Sequence, residues 1–172
     1  MYKKRIQAQH VWYNPVSGKS FDIKTPGCFT FDSKSEFRCY MLLRELFPGY
    51  IIQSQVELLV LGGKTWKCDF CVAAVNRPQA ENLRLVVNRT NAVNITSPLS
   101  RIFVEYKGTI DKNFHDKLKL IHNNDSELFD EIIILSDVPS GIVFENLTTL
   151  ERSVKCMSST KYFERIVKCL KL

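Results

Sequence analysis

The amino-acid sequence predicts an α/β sandwich in which helices flank a central mixed β-sheet. Segments rich in aromatic and β-branched residues, typical of strands, alternate with segments that have the spacing of amphipathic helices. The run Ile132–Leu135 is apolar throughout, as expected of a strand inside a sheet that is covered on both faces. With 172 residues, of which 45% are hydrophobic, the chain is long enough for one domain with a packed core.

The first 28 residues are predicted to form a short β extension. Strand-like stretches at Val11–Tyr13 and Ser20–Ile23 flank a turn signal at Asn14–Gly18. Three aromatic residues stand on these two stretches: Trp12, Tyr13 and Phe21. We favour a role in the core or in a dimer interface for these aromatic side chains over stacking on nucleic-acid bases.

A helix and a β-hairpin are predicted next. Ser33–Phe47 has helical spacing of its apolar residues and is ended by Pro48–Gly49. Two strands follow, Tyr50–Leu61 and Lys64–Val75, joined by a turn at Gly62–Gly63.

The segment from residue 76 to residue 100 is predicted to be an irregular insertion. It is polar and carries Pro78 and Pro98 near its ends. The stretches Leu83–Val87 and Val93–Ile95 favour an inserted β-hairpin within it.

The second half of the chain alternates strands and helices. The predicted elements are a strand at Arg101–Lys107, a helix at Asp111–Asn123, a strand at Glu131–Ser136, a short strand at Ile142–Phe144 and a basic helix at Thr160–Leu170. We expect one domain over residues 1–172, with a core at about 29–136, the N-terminal extension at 1–28 and a basic C-terminal helical region at 145–172.

The charge balance is compatible with a phosphate-rich partner. Lys and Arg total 24 against 18 Asp and Glu, which gives a formal charge of +6. No apolar run is long enough to span a bilayer, and no signal peptide is recognisable. We therefore expect a soluble intracellular protein, in the host cytoplasm or associated with the nucleoid, that has no membrane partner.

The six cysteines raise the question of a zinc site or of disulfides. Cys68 and Cys71 have the spacing of a zinc knuckle, but on a regular strand two residues three apart face opposite sides. Buried thiols in a reducing compartment are the favoured interpretation.

Three charged residues form the most informative pattern in the chain. Asp69 lies on one predicted strand, whereas Glu105 and Lys107 share a face of another, because side chains alternate along a strand. If the two strands are neighbours, two carboxylates and one ammonium group converge. Hard divalent cations prefer oxygen ligands of this kind. The pattern therefore indicates metal-assisted hydrolysis of phosphodiester bonds.

The order of these motifs resembles that of the PD-(D/E)XK nuclease superfamily, in particular small phage-type, junction-resolving and homing endonucleases. The resemblance rests on a Phe-x-Ser-x-x-Glu helix start at Phe31–Glu36, the pair Asp69–Phe70 and the strand Val104–Gly108. It covers roughly residues 29 to 136 and implies a restriction-endonuclease-like core. The Pro-Asp pair that names the family is Cys68-Asp69 in this chain.

The resemblance implies a role for each matched residue. Asp69 and Glu105 would be central metal ligands, with the backbone carbonyl of Tyr106 as a further ligand. Lys107 would orient or polarise the attacking water, and Glu36 would complete the site directly or through a water molecule. The implied cofactor is Mg²⁺ or Mn²⁺, with one or two ions per site.

Simpler structural roles are available for some of these residues. Glu36 is the last residue of a capping box at Ser33–Glu36. Glu105 and Lys107 could be a surface ion pair worth about 0–1 kcal/mol. The candidates for substrate binding are weaker: Gln55, Lys117 and Lys119. A solvated side chain is the commoner explanation for Gln55.

The helix at Asp111–Asn123 carries further polar groups. Lys117 borders its apolar stripe, whereas Lys119 is expected to point further outward. His115 and His122 have no matched metal partners and are interpreted as surface or phosphate-contacting groups.

Together these observations predict a metal-dependent endodeoxyribonuclease that acts on branched or junction DNA, or on a specific site in the manner of a homing enzyme. A homodimer or higher oligomer is expected, because both types of cleavage need two cuts. The alternatives are a non-catalytic nucleic-acid-binding protein that has kept a nuclease fold, and a nuclease acting on RNA.

Overall fold

Two β-sheets organise the described part of the chain in the computed structural model. The chain divides into two compact units, residues 1–42 and residues 43–172. The first unit holds a three-stranded sheet and the second a five-stranded sheet. The residues that the structure describes are 9–60, 64–108, 111–136, 156–157 and 160–170.

The N-terminal sheet is antiparallel, in the strand order β2-β1-β3. Its strands are β1 (Val11–Asn14), β2 (Lys19–Phe21) and β3 (Phe29–Phe31). The side chain of Asn14 accepts the backbone N–H groups of two residues in the β1–β2 turn, and Gly18 supplies the left-handed conformation that ends this turn. The predicted β extension is therefore present, and a third strand is added to it.

Helix α1 (Lys34–Leu46) follows as predicted and is succeeded by a β-hairpin. The hairpin strands are β4 (Ile51–Val60) and β5 (Lys64–Ala73), which pair in antiparallel register. The predicted turn at Gly62–Gly63 lies outside the described residues.

The five-stranded sheet is mixed, in the order β4-β5-β6-β7-β8. Strand β6 (Arg101–Lys107) runs antiparallel to β5, whereas β7 (Ile132–Ser136) runs parallel to β6. A two-residue strand, β8 (Cys156–Met157), pairs in parallel with β7 and was not predicted. The predicted strand at Ile142–Phe144 lies outside the described residues.

The segment between β5 and β6 corrects a prediction. A helix, α2 (Arg77–Asn91), stands where an irregular insertion with a β-hairpin was expected. The side chain of Asn76 accepts the N–H of Gln79, and Pro78 lies in the first turn, where its missing N–H costs nothing. The β-branched residues that indicated a strand lie on the buried face of the helix, which consists of Leu83, Val86, Val87, Thr90 and Asn91.

Helices cover both faces of the mixed sheet. Helix α3 (Lys112–Asn124) and the short α4 (Ser126–Asp130) pack on one face, where apolar residues of both helices join a hydrophobic cluster. Helices α2 and α5 (Thr160–Cys169) contact β6, β7 and β8. The α3-side cluster contains Leu58, Trp66, Cys68, Cys71, Phe103, Phe114, Leu118, Ile121, Phe129, Ile132 and Ile134.

The structure therefore confirms the coarse fold class, a mixed sheet flanked by helices in an α/β arrangement. The interior strand β7 is buried at every position, as its continuous apolar sequence predicted. Within the described ranges, no helix is long and apolar enough to cross a membrane.

Candidate active site

The backbone pairing of β5 with β6 ends next to Asp69. Beyond that point, side-chain carboxylates accept the backbone N–H groups. The β5–β6 ladder runs from Ala73–Arg101 to Phe70–Val104. Beyond it, the backbone N–H of Asp69 donates to Glu105 Oε2 at 3.2 Å, and the backbone N–H of Tyr106 donates to Asp69 Oδ2 at 2.8 Å. Each carboxylate is thus held by the main chain of the other residue's strand, and the two acidic groups lie side by side.

Lys107 completes this charged group. Its Nζ lies 2.5 Å from Glu105 Oε1 and 4.9 Å from the ring centroid of Phe114 in α3. Burial alone would lower the pKa of Lys107, but the attraction of Glu105 and Asp69 outweighs it and the pKa is raised. Lys107 is therefore an ammonium at neutral pH, which can donate hydrogen bonds and stabilise negative charge but cannot accept a proton.

The burial of Glu105 makes the charge balance of the group informative. Its side chain is only 1% exposed, whereas that of Lys107 is 27% exposed. A buried carboxylate is costly unless it is paired. The triad of Asp69, Glu105 and Lys107 brings together two carboxyl groups and one ammonium group, and Lys107 is paired with Glu105. Carboxylate oxygens suit a hard divalent cation.

Asp69 and Glu105 could hold Mg²⁺ or Mn²⁺ with two carboxylates, and water molecules would supply the remaining ligands. In the part of the chain that the structure describes, no group of three or more His, Cys, Asp or Glu side chains is arranged to hold a metal ion. Mg²⁺ commonly takes one or two carboxylates and keeps several waters. A carboxylate has about four acceptor positions, so the bonds from Asp69 and Lys107 do not saturate Glu105.

Strand alternation is interrupted beside Asp69. Cys68 and Cys71 both join the α3-side cluster, although regular alternation places residues three apart on opposite faces. The prediction that they face opposite sides is therefore wrong. The Cys68 thiol lies 3.5 Å from the carbonyl oxygen of Val104, and burial together with nearby Glu105 raises its pKa well above the usual value. Cys68 is a neutral thiol that packs beneath the acidic pair.

Gln55 of β4 has a backbone conformation that sequence reasoning missed. Its φ is +57°, in the left-handed region that non-glycine residues in strands avoid. The residues on either side of Gln55 pair with those on either side of Asp69, so the two residues lie opposite each other. Strained backbone of this kind concentrates at functional sites. Gln55 was predicted as a substrate-binding side chain, and the structure adds this backbone feature.

Glu36 forms a variant of the predicted capping box, because its carboxylate accepts the N–H of Asp32 rather than that of the N-cap residue Ser33. Its carboxylate accepts the backbone N–H of Asp32 at 2.7 Å, and its own N–H donates to Ser33 Oγ at 3.0 Å. These bonds lie within the N-terminal unit and fix the start of α1. The role of Glu36 in metal binding stays a prediction.

The basic and imidazole groups of α3 differ in part from expectation. Lys117 is exposed, with its Nζ 5.9 Å from the ring centroid of Trp66, whereas Lys119 is half-buried. The prediction that Lys119 points further outward is therefore wrong. His115 was expected to be a surface or phosphate-contacting group, but it is 8% exposed and its Nε2 is without a hydrogen-bond partner among the described residues. His122 is exposed and its ring contacts Phe129 at 4.9 Å.

Comparisons with models of protein families, with curated proteins and with solved structures found no match to this chain. The assignment of a function therefore rests on the residues and their geometry.

Proposed function

We propose that this protein is a metal-dependent endodeoxyribonuclease whose active site is of the PD-(D/E)XK type. The observation that carries the proposal is the crossed pair of hydrogen bonds between Asp69 and Glu105, with Lys107 bound to the second acid. The resemblance in motif order and the mixed sheet flanked by helices support the restriction-endonuclease-like core.

The acidic pair would hold the cation. Asp69 and Glu105 project from adjacent central strands and are oriented by backbone N–H groups, so their positions do not depend on flexible side-chain partners. The backbone carbonyl of Tyr106, next to Glu105, is a further candidate ligand. A bound Mg²⁺ or Mn²⁺ ion would supply activation of water and stabilisation of charge on the phosphoryl oxygens.

Lys107 would position the nucleophile. As an ammonium group held against Glu105, it can donate one hydrogen bond to a water molecule and another to a non-bridging phosphate oxygen. Attack by that water on phosphorus breaks the bond to the 3′ oxygen of the preceding nucleotide. The products are a 5′-phosphate and a 3′-hydroxyl: the attacking water loses one proton to solvent, and the 3′ oxygen takes one up.

The net positive charge of the chain makes DNA, a polyanion, a suitable class of substrate. The chain carries a formal charge of +6, and phosphate contacts by Lys and Arg supply much of the affinity of nucleic-acid-binding proteins. The exposed ammonium of Lys117 in α3, the helix that also contacts Lys107 through Phe114, is the first candidate to contact the substrate backbone.

The test is a cleavage assay of the full chain with Mg²⁺ on supercoiled plasmid, four-way junction and single-stranded RNA. Asp69→Asn and Lys107→Met are expected to lower the cleavage rate at least about 100-fold. The matched controls are Asp116→Asn on the exposed side of α3 and Lys67→Met on β5, which should cleave like the wild type.

Each alternative function predicts a different pattern in this assay. Cleavage of RNA alone would replace the DNA substrate with RNA while keeping the site. Binding of DNA without cleavage of any substrate, by wild type and variants alike, would identify a non-catalytic binding protein. Cleavage that is unchanged by both Asp69→Asn and Lys107→Met would overturn the assignment of the site.

A further inference from the structure

The two faces of the N-terminal sheet have different surroundings. One face packs on α1: the ring of Tyr13 lies 5.3 Å from that of Phe37 and 5.9 Å from that of Tyr40, and the ring of Phe31 lies 5.1 Å from Tyr40. Tyr13 is 3% exposed and Phe31 is fully buried. These side chains therefore form the core of the unit, which confirms the predicted core role for Tyr13.

The other face presents aromatic and polar side chains. Trp12 of β1 pairs in register with Phe21 of β2 and with Thr30 of β3. The ring of His10 lies 6.0 Å from that of Trp12. Lys19 shares a face with Phe21, because the two residues are two apart on one strand. We call this set the outer sheet face, and it consists of His10, Trp12, Asn14, Lys19, Phe21 and Thr30.

The outer sheet face is accessible in the folded chain. His10, Lys19 and Thr30 are exposed, and Trp12 and Phe21 are each half-buried. Aromatic side chains that are left half-exposed beside polar and basic groups are typical of binding surfaces. Trp12 and Phe21 lie on the face opposite the aromatic core of the unit, so packing on α1 does not account for their aromatic side chains.

Charge favours a polyanionic partner for this unit. Residues 1–42 contain seven Lys and Arg against three Asp and Glu, so four of the six net positive charges of the chain belong to them. Of the three acids, Glu36 caps α1 and Asp32 lies 3.6 Å from the Nδ1 of His10 at the end of β3.

We propose that the outer sheet face binds unpaired nucleotides, with Trp12 and Phe21 stacking on bases and Lys19 contacting the backbone phosphates. Flat aromatic side chains on a sheet, flanked by basic groups, are the usual way in which proteins bind single-stranded nucleic acid. The choice of nucleic acid as the partner rests in part on the proposed nuclease function. The inference deepens that function, because it assigns a substrate class with single-stranded or branched segments.

Stacking on Trp12 and Phe21 requires unpaired bases, so it should appear as a preference for single-stranded over duplex nucleic acid. In a duplex both faces of an interior base are covered by neighbouring bases, whereas a single strand leaves them available. The outer sheet face should therefore discriminate between a single strand and a blunt duplex of the same sequence. Loss of one stacking side chain reduces affinity by roughly 5- to 150-fold.

The experiment measures binding without cleavage. Fluorescence anisotropy of a labelled 20-nucleotide oligothymidine and of a blunt 20-base-pair duplex is recorded in EDTA with the full chain. Trp12→Ala and Phe21→Ala should each raise the Kd for the single strand about tenfold or more, with a smaller effect on the duplex. Trp12→Phe should restore most of the affinity. Val16→Ala, in the turn at 96% exposure, is the matched control and should bind like the wild type.

Two further measurements separate the possible failures. Circular dichroism of each variant establishes that the fold is kept, and Trp12→Phe remains informative if Trp12→Ala is unfolded. Single-strand affinity that is the same in wild type and folded Trp12→Ala would overturn the inference. So would an effect of Trp12→Ala on the oligomeric state, measured by light scattering, with binding unchanged, since that result would identify a dimer interface.

Because binding is measured in EDTA, the outcome does not depend on hydrolysis. Trp12-dependent binding without Mg²⁺-dependent cleavage would contradict only the proposed nuclease function. Cleavage of DNA with Trp12-independent binding would contradict only the inference on the outer sheet face.

Discussion

The carboxylate of Glu105 accepts the backbone N–H of Asp69 at 3.2 Å, although the two residues lie on different strands and are 36 positions apart. In the opposite direction, the backbone N–H of Tyr106, the residue after Glu105, donates to the carboxylate of Asp69. The two acids are therefore fixed relative to each other by the main chain, and the geometry of the candidate site follows from how β5 and β6 separate. This arrangement makes the structural and chemical roles of Glu105 separable by substitution.

Glu105→Gln and Glu105→Ala should differ in stability but not in activity. The amide oxygen of glutamine can still accept the N–H of Asp69, whereas alanine leaves this N–H without its acceptor. We expect Glu105→Ala to be less stable than Glu105→Gln by about 1–3 kcal/mol in urea unfolding. Both should lose cleavage, because neither supplies a carboxylate. Glu57→Gln, at an exposed position of β4, is the control. Equal stability of the two variants would contradict the hydrogen bond to Asp69.

Lys107 and Glu105 should be energetically coupled. Lys107→Met leaves a buried carboxylate without its cation, which should destabilise the protein by about 1–3 kcal/mol, less than for a fully buried pair because Lys107 is partly exposed. Adding Glu105→Gln to Lys107→Met should recover part of that stability without restoring cleavage. Urea unfolding of both single variants and the double variant measures the coupling. Strictly additive effects would show that the ion pair contributes nothing to the fold.

The left-handed backbone at Gln55 predicts an unusual order of substitutions. Gln55→Gly should be neutral or stabilising, since glycine adopts this conformation without a steric penalty. Gln55→Val should cost about 1–2 kcal/mol, because a β-branched residue is disfavoured at positive φ. Gln53→Val on the same strand is the control and should be tolerated, as valine favours ordinary strand positions. Chemical denaturation gives the order, and a more stable Gln55→Val than Gln55→Gly would contradict the conformation.

Glu131, which precedes β7, should make stability depend on pH. Burial raises its pKa above the usual value, with Arg101 opposing the shift and the nearby acids Asp125 and Glu127 adding to it. A raised pKa in the folded state stabilises the protein below the unfolded-state pKa of about 4.3, and that contribution is lost as pH rises through the folded value. Glu131→Gln should therefore be more stable than the wild type at pH 7, by less than about 1 kcal/mol, and not at pH 4. Urea unfolding at both pH values tests this prediction. If Glu131→Gln were more stable than the wild type only at pH 4, the raised pKa of Glu131 would be contradicted.

The coarse fold could be predicted because the apolar residues of most elements recur with the regular period of a strand or of a helix. The bounds of β6 were predicted as observed, and the buried face of α3 follows directly from the spacing of Phe114, Leu118 and Ile121. Helix α2 was missed because Val86 and Val87 favour strands locally, whereas tertiary burial and the Asn76 cap favour the helix.

The candidate site was predictable only as far as strand alternation holds. The shared face of Glu105 and Lys107 follows from period two on β6, and their approach to Asp69 follows from the pairing of β5 with β6. The interruption at Cys68–Cys71 and the left-handed Gln55 have no local signal in the sequence, since no Gly or Pro lies at either place. Such departures from local rules are expected at functional or strained sites.

The most direct test of the central claim is a calorimetric titration of the purified chain with Mn²⁺, since metal binding does not depend on knowing the substrate. We predict saturable binding of one or two ions that is abolished by Asp69→Asn and kept by Asp116→Asn. A titration without heat of binding, or one that is the same for wild type and Asp69→Asn, would contradict a metal site at Asp69 and Glu105.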